Sequence, residues 1–260
     1  MSAPAQGLSY GHVAAALVLV AVAAGVSWWQ RTGQADDIGL AVLRSVLQLS
    51  AVGFIIRAIF ESDSLAFVAA LLVGMVAFAT FTARRRAAAV PDALVPIGLG
   101  LTVGALATIG LVVAVGIFEA DARSLVPVGG MVIGNAMTAT AVALNRLGDE
   151  MRRSAPEVEA ALALGATARQ AAAPLVRRSL GSGLMPLIDQ TKTTGVVFFP
   201  GTMVGMLLAG AEPFDAVRLQ LILLYVLLGA VAMSSLLAVT LAQRRFFTDA
   251  QQLRELPPVA

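Results

Sequence analysis

Long apolar runs constrain this chain more than any motif it carries. They lie at His12–Trp29, Ile38–Phe60, Leu65–Phe81, Leu94–Phe118, Leu125–Leu144, Met185–Ala209 and Leu219–Ala242. Each is at or close to the about 20 residues needed to cross a bilayer core. Lipid offers no water to a free N–H or C=O, so every run is expected to be helical. The fold class that follows is all-α, a polytopic membrane bundle with seven transmembrane helices. Composition agrees: 58% of the 260 residues are hydrophobic and 13% charged, against about 45–50% and about 25% in soluble domains. The first run lacks a basic n-region and a small-residue cleavage site. It ends on Trp28-Trp29, an interfacial anchor, and reads as a retained span rather than a signal peptide.

Arginine placement sets the orientation. Arg84, Arg85 and Arg86 follow the third run, Arg146, Arg152, Arg153, Arg169, Arg177 and Arg178 lie between the fifth and sixth, and Arg244 and Arg245 follow the seventh. The alternate loops carry acids instead: Glu61 and Asp63, Glu119 and Asp121, Glu212 and Asp215. Basic residues near span ends stay in the cytoplasm, so the N-terminus is expected outside and the C-terminus inside. Arginine clusters at membrane boundaries do not point to nucleic acid. The chain has no cysteine, which excludes a disulfide framework and a thiolate metal site.

The expected organisation is a single transmembrane domain over residues 1–250, with a cytoplasmic segment at about 145–184 and a disordered tail over 251–260. Inside the cytoplasmic segment, Ser154 suits an N-cap and Pro156 the first turn of a helix that reaches Gly165. Thr167 then suits the cap of a second helix, which Pro174 is expected to kink or break. The result is a helix-turn-helix projecting into the cytoplasm.

The string Glu159-Ala160-Ala161-Leu162-Ala163-Leu164-Gly165, with Leu175 ten residues beyond the glycine, resembles the coupling loop of ABC-transporter permeases. Small alanines let another surface approach the helix backbone, and glycine permits a turn that a β-carbon resists. A narrower resemblance rests on Arg44-Ser45-Val46-Leu47-Gln48-Leu49, Met131-Val132-Ile133-Gly134-Asn135-Ala136-Met137, Ala143-Leu144-Asn145-Arg146-Leu147, Asp189-Gln190-Thr191-Lys192-Thr193, Phe199-Pro200-Gly201-Thr202-Met203 and Leu208-Ala209-Gly210. In that order, from about residue 38 to 247, the chain resembles the FetB-type permeases. These are bacterial proteins paired with a FetA ATPase in iron export, with plant relatives linked to aluminium tolerance and to a sugar nucleotide. One departure from the general importers is Arg177-Arg178, where they continue toward a Leu-Pro pair.

The resemblance implies ATPase docking through Glu159, Ala160, Ala161, Gly165, Ala166 and Thr167. It implies a FetA-like ABC ATPase and a second copy of the chain as partners, beside membrane lipid, and a multi-pass place in the bacterial cytoplasmic (inner) membrane. ATP and Mg are then expected on the partner and no cofactor on this chain. A phosphate-binding loop needs G-x-x-x-x-G-K-[ST], and the sole lysine, Lys192, follows Asp189-Gln190-Thr191 with no glycine. Hydrolysis must therefore occur on another polypeptide if ATP drives transport.

Polar groups within spans are costly and mark candidate pathways. Arg44 and Gln48, one turn apart, either line a pathway, pin a neighbouring helix, or let Arg44 snorkel to headgroups. Asn135, beside Gly134 and Met137, either contacts substrate or bonds helix to helix, the second being favoured. Asp189 and Lys192 suit an ion pair. Pro200-Gly201 must break or bend its span, as a gate or as a packing kink. No metal-ligand set is visible: His12 is the one histidine, and Met131, Met137, Met203 and Met206 suit core packing, thioether being a soft ligand. An ion-gradient transporter would explain the spans but not the cytoplasmic Glu-Ala-Ala segment. An intramembrane enzyme lacks an acid, base or nucleophile constellation.

Overall fold

The computed structural model describes residues 10–62 and 64–254. Among them, nine α-helices run in order: α1 (Tyr10–Trp29), α2 (Ala35–Ser62), α3 (Leu65–Arg86), α4 (Leu94–Ala114), α5 (Ala122–Arg153), α6 (Ala155–Ala163), α7 (Ala168–Thr193), α8 (Gly201–Leu208) and α9 (Pro213–Gln243). A 3-10 turn, Arg244–Phe246, follows α9. Six of the helices, α1 to α5 and α9, are long and apolar enough to cross a membrane. The protein is a polytopic membrane helical bundle.

The run Met185–Ala209 is not one helix. α7 starts at Ala168, well before it, and ends inside it at Thr193. Residues 194–200 then turn, with Gly195 at φ +86° donating its N–H to the Phe198 carbonyl at 2.9 Å, and α8 restarts after Pro200. Thr194 and Gly195 leave the helical region, and Pro200 has no N–H to resume it. α7 stays helical through Pro174 and Pro186, so the expected break at Pro174 does not occur. One proline removes one backbone hydrogen bond, and Ala172 and Leu175, buried on either side of Pro174, hold the helix in the core.

The described residues divide into two compact units, residues 10–62 with 205–213, and residues 64–204 with 214–254. In the first, α1 and α2 pack as a hairpin. Its turn carries Arg31 at φ +53° and Gly33 at φ +72°, and is tied by a 2.6 Å bond between the Ser27 and Thr32 hydroxyls.

In the second unit, α3, α4, α5, α7 and α9 surround a core that includes Ile97, Leu101, Val132, Leu144, Leu147, Val231 and Val239. Small residues let these helices approach closely, as membrane packing requires. A β-carbon on Gly183 of α7 would stand 2.7 Å from the Ala139 carbonyl and 2.8 Å from the Ala143 β-carbon of α5. One on Gly100 of α4 would meet the Ser234 carbonyl and Ala238 of α9 at 2.7 and 2.8 Å. Thr140 of α5 and Ser235 of α9 face each other, hydroxyl to hydroxyl, at 3.4 Å.

These contacts give direction. Glu150 of α5 meets Arg178 of α7, while Asn135 lies across from Gln190, so α5 and α7 are antiparallel. The Ala168 N–H at the start of α7 bonds the Gln251 side chain beyond α9, so α7 and α9 respectively begin and end at one end of the unit. Gly148 of α5 packs on Ala89 in the loop after Arg84–Arg86, bringing that loop to the same end. The arginine-rich segments thus share one face, as their placement in the sequence implies. Residues 251–254, expected to begin a disordered tail, are tied down instead: Phe247 bridges to Leu253, and the Arg254 N–H donates to the Phe246 carbonyl at 2.8 Å. The remainder of that tail, 255–260, lies outside the described residues.

Candidate functional site

At the arginine-rich end, α6 presents a narrow anchor and a free face. Val158 is buried and Leu162, one turn on, packs against the core. Glu159, Ala160 and Ala163 are exposed on the other side. The helix stops in a Schellman motif: Gly165, at φ +89°, donates to Leu162 at 2.9 Å, and Ala166 donates to Ala161 at 3.0 Å. Only glycine holds that φ without strain. Thr167 begins α7 with a reciprocal capping box. Its hydroxyl accepts the Gln170 N–H at 3.3 Å, and its own N–H donates to Gln170 Oε1 at 2.9 Å. Ser154 precedes α6 but makes no side-chain cap.

The six residues expected to dock a partner are therefore gathered on one bend. Glu159, Ala160, Gly165 and Thr167 are exposed, while Ala161 and Ala166 are half-buried at its base. Leu164 stands at the apex, 90% exposed, a large apolar side chain in solvent at the basic end.

Beneath the bend lies a cluster that sequence reasoning missed. The nearly buried Glu150 carboxylate accepts from Arg146, one turn back on α5, at 2.7 Å, and from Arg178 of α7 through Nε and Nη2, both at 2.8 Å. Both arginines are about half exposed, so the site is only partly dry. The trio clamps α5 to α7 one turn inside α6. The Arg146-to-Glu150 spacing was a visible signal; the Arg178 partner, 28 positions away, was not.

Toward the middle of the bundle, Asn135, Thr138, Ala139 and Val142 of α5, Gly183, Pro186, Leu187 and Gln190 of α7, and Val231 of α9 line a small cavity of about 80 Å³. Asn135 does not bond helix to helix as favoured; its Nδ2 donates to the Met131 carbonyl of its own helix at 2.8 Å. That carbonyl, four residues back, is always within reach of a short side chain. Gly134 is half-buried with open space where a β-carbon would lie, and Met137 packs against the core. Asp189 and Lys192 pair at 3.4 Å on exposed surface, and Pro200-Gly201 lead into α8. Arg44 and Gln48 lie exposed on α2 and belong to the other unit. At the opposite end, Asp121 caps α5 by accepting the Ser124 N–H at 3.0 Å. Hydrogen bonding from Ser124 holds its carboxyl below the usual value. Among the described residues, no three His, Cys, Asp or Glu side chains converge on a point.

The family model for UPF0014, described as an uncharacterised protein family, matches residues 10–247. The chain belongs to the UPF0014 family. Among its UPF0014 relatives, the membrane protein STAR2 of Oryza sativa subsp. japonica is 40% identical over 241 residues, 93% of this chain and 85% of the relative. ALUMINUM SENSITIVE 3 of Arabidopsis thaliana is 38% identical over 241 residues, 93% of this chain and 88% of the relative. The probable iron export permease protein FetB of Escherichia coli (strain K12) is 34% identical over 242 residues, 93% of each chain. The resemblance to FetB-type permeases extends along nearly the whole chain. No solved structure matches it.

Proposed function

We propose that this chain is the permease subunit of an ABC transporter, exporting iron or another metal and energised by a separate FetA-like ATPase. The observation that carries this reading is the α6 bend, an exposed Schellman turn with Glu159, Ala160 and Leu164 free at the arginine-rich end. Leu164 is exposed together with Ala160 and Ala163, and apolar surface gathered on one bend is what a partner surface covers. Similarity to a relative named as an iron export permease supports the substrate class. ATP and Mg belong to the partner in this reading. ABC ATPases sandwich nucleotide in pairs, so one docking bend per chain calls for two copies of the permease. The setting is the bacterial cytoplasmic membrane, with α6 on its inner side. The pathway candidates are Asn135, the Asp189–Lys192 pair and the break before Gly201, with Arg44 and Gln48 on α2.

A second reading is an ABC permease for a non-metal solute such as a sugar nucleotide: among the described residues no cluster of carboxylates or imidazole gathers to hold a bare hard cation.

The test is co-expression with the cell's ABC ATPases, followed by purification and ATP hydrolysis in lipid with ferrous iron or sugar nucleotides added. Gly165→Leu and Glu159→Lys are expected to remove both ATPase capture and transport, while leaving membrane insertion intact. Wild-type capture and transport in both variants would refute the docking role of the bend. Stimulation by a sugar nucleotide but not by iron selects the second substrate class.

A further inference from the structure

The segment after α9 is built as a hook, and it ends against α6. The turn Arg244–Phe246 buries Phe246, and Phe247 beside it is also buried. The chain then reverses: Gln251 donates its N–H to the Thr248 carbonyl at 2.9 Å, Thr248 donates to Gln252 at 2.8 Å, and Arg254 Nε returns to the Phe247 carbonyl at 3.1 Å. Gln251 sits at the tip with φ +59°, a conformation unfavourable to a residue with a β-carbon. Its side chain accepts the Ala168 N–H at 2.8 Å, one of the donors that the first turn of α7 leaves without a helical partner. Nothing in the α9 pattern requires this fold-back.

Between hook and coupling helix lies an open groove of about 420 Å³, lined by Glu159, Leu162 and Ala163 on one wall and Ala250, Gln252 and Leu253 on the other. Leu162, Ala163, Ala166, Ala250 and Leu253 give it apolar lining beside the polar Gln251 and Gln252, and Glu159 is the carboxylate among its lining residues. The surrounding segments carry arginine. A lining whose one charged residue is the Glu159 carboxylate is a poor fit to anionic lipid headgroups. It fits a protein surface presenting a basic group beside an apolar side chain.

We infer that residues 244–254 form, with α6, one composite docking surface, and that the groove between them receives an apolar side chain flanked by lysine or arginine on the ATPase subunit. The inference rests on the ABC reading above and extends it from a single helix to two walls. α6 supplies the acid and the close approach, while the hook closes the far side and fixes the start of α7. A partner held by both walls moves α7 and α9 together, since their ends meet at the Gln251–Ala168 bond.

The test uses the full-length chain in membranes with the polypeptide that co-purifies with it and carries a G-x-x-x-x-G-K-[ST] loop. Ala250→Trp fills the groove from the hook side, at an exposed position outside α6. It is expected to lower ATPase capture at least tenfold with the melting temperature unchanged. A photo-reactive phenylalanine at Gln252 is expected to cross-link the ATPase. Should Ala250→Trp also unfold the protein, the cross-link decides alone. Loss of capture in Gly165→Leu, with full capture in Ala250→Trp and no cross-link at Gln252, overturns the composite surface and leaves the ABC reading standing. Failure of any such polypeptide to co-purify with the wild-type chain overturns both.

Discussion

The α1–α2 hairpin and the α5–α7 pair both consist of long helices, yet they are held in different ways. In α1 and α2, Ser27 is the one buried residue among the described side chains, and a β-carbon on Gly25, Gly39 or Gly53 would meet nothing within 4 Å. In α5 and α7 the backbones touch through Gly183, Ala139 and Ala143, and an ion trio closes the end. Apolarity alone therefore tells where a chain crosses lipid but not what it packs on. Lipid tails are as apolar as leucine, so association inside a membrane follows small residues and polar clamps.

The sharpest way to break this contrast is one substitution made in each region. Gly183→Leu forces side-chain atoms into the Ala139 carbonyl and is expected to cost about 3 kcal/mol, the upper range for overpacking. Gly53→Leu in α2 faces open space and is expected to stay within about 0.5 kcal/mol of wild type. Melting in detergent, read by loss of the monodisperse peak, compares them; equal losses would end the distinction. Next in size, Glu150→Ala leaves two arginines without their shared acid. The expected cost is about 2 kcal/mol, below the about 3–5 kcal/mol of a fully buried pair because both arginines reach solvent. Thermal melting at two salt concentrations checks it, since a clamp of this kind loses part of its strength in high salt. Thr167→Ala removes the capping box of α7 and is expected to cost about 1 kcal/mol, seen as faster amide exchange over the first turn of α7.

The smallest effect belongs to Asp121. Its native carboxyl titrates below the unfolded value, so the stabilisation is present above the unfolded pKa of about 3.8 and is lost as pH falls through the lower native value. Wild type is expected to melt slightly above Asp121→Ala at pH 7, and the gap to close in strong acid. A gap that persists there would assign the cap to something other than the carboxylate charge.

Local chemistry made much of this legible. The Thr167 cap and the Gly165 turn follow from residue types a few positions apart, and the crossing helices follow from hydrophobic length. What escaped depended on distant partners. Pro174 reads as a kink or break until Ala172 and Leu175 are seen buried on either side of it in one continuous helix. Arg178 reads as a surface charge until Glu150 is placed opposite. The residues after Gln251 look like a loose tail because the Phe246 pocket and the Ala168 amide that hold them come from tertiary structure. Asn135 went the other way: a long-range bond was favoured, and the local carbonyl won.

The uneven helix lengths in the larger unit have a mechanical consequence. α3 and α4, with 22 and 21 residues, span about 33 and 32 Å, whereas α5 and α9, with 32 and 31, span about 48 and 46 Å. The short pair matches a hydrocarbon layer of about 30 Å, and the long pair overruns it into water. A bilayer that thins or thickens therefore presses on the ends of α4 but slides past α9. The load falls on the Gly100–Ser234 crossing where the two touch. Hydrophobic mismatch is expected to load that crossing in shear, so stability should depend on acyl-chain length. Melting temperature in lipids of graded chain length would trace that load as a maximum at the matching thickness.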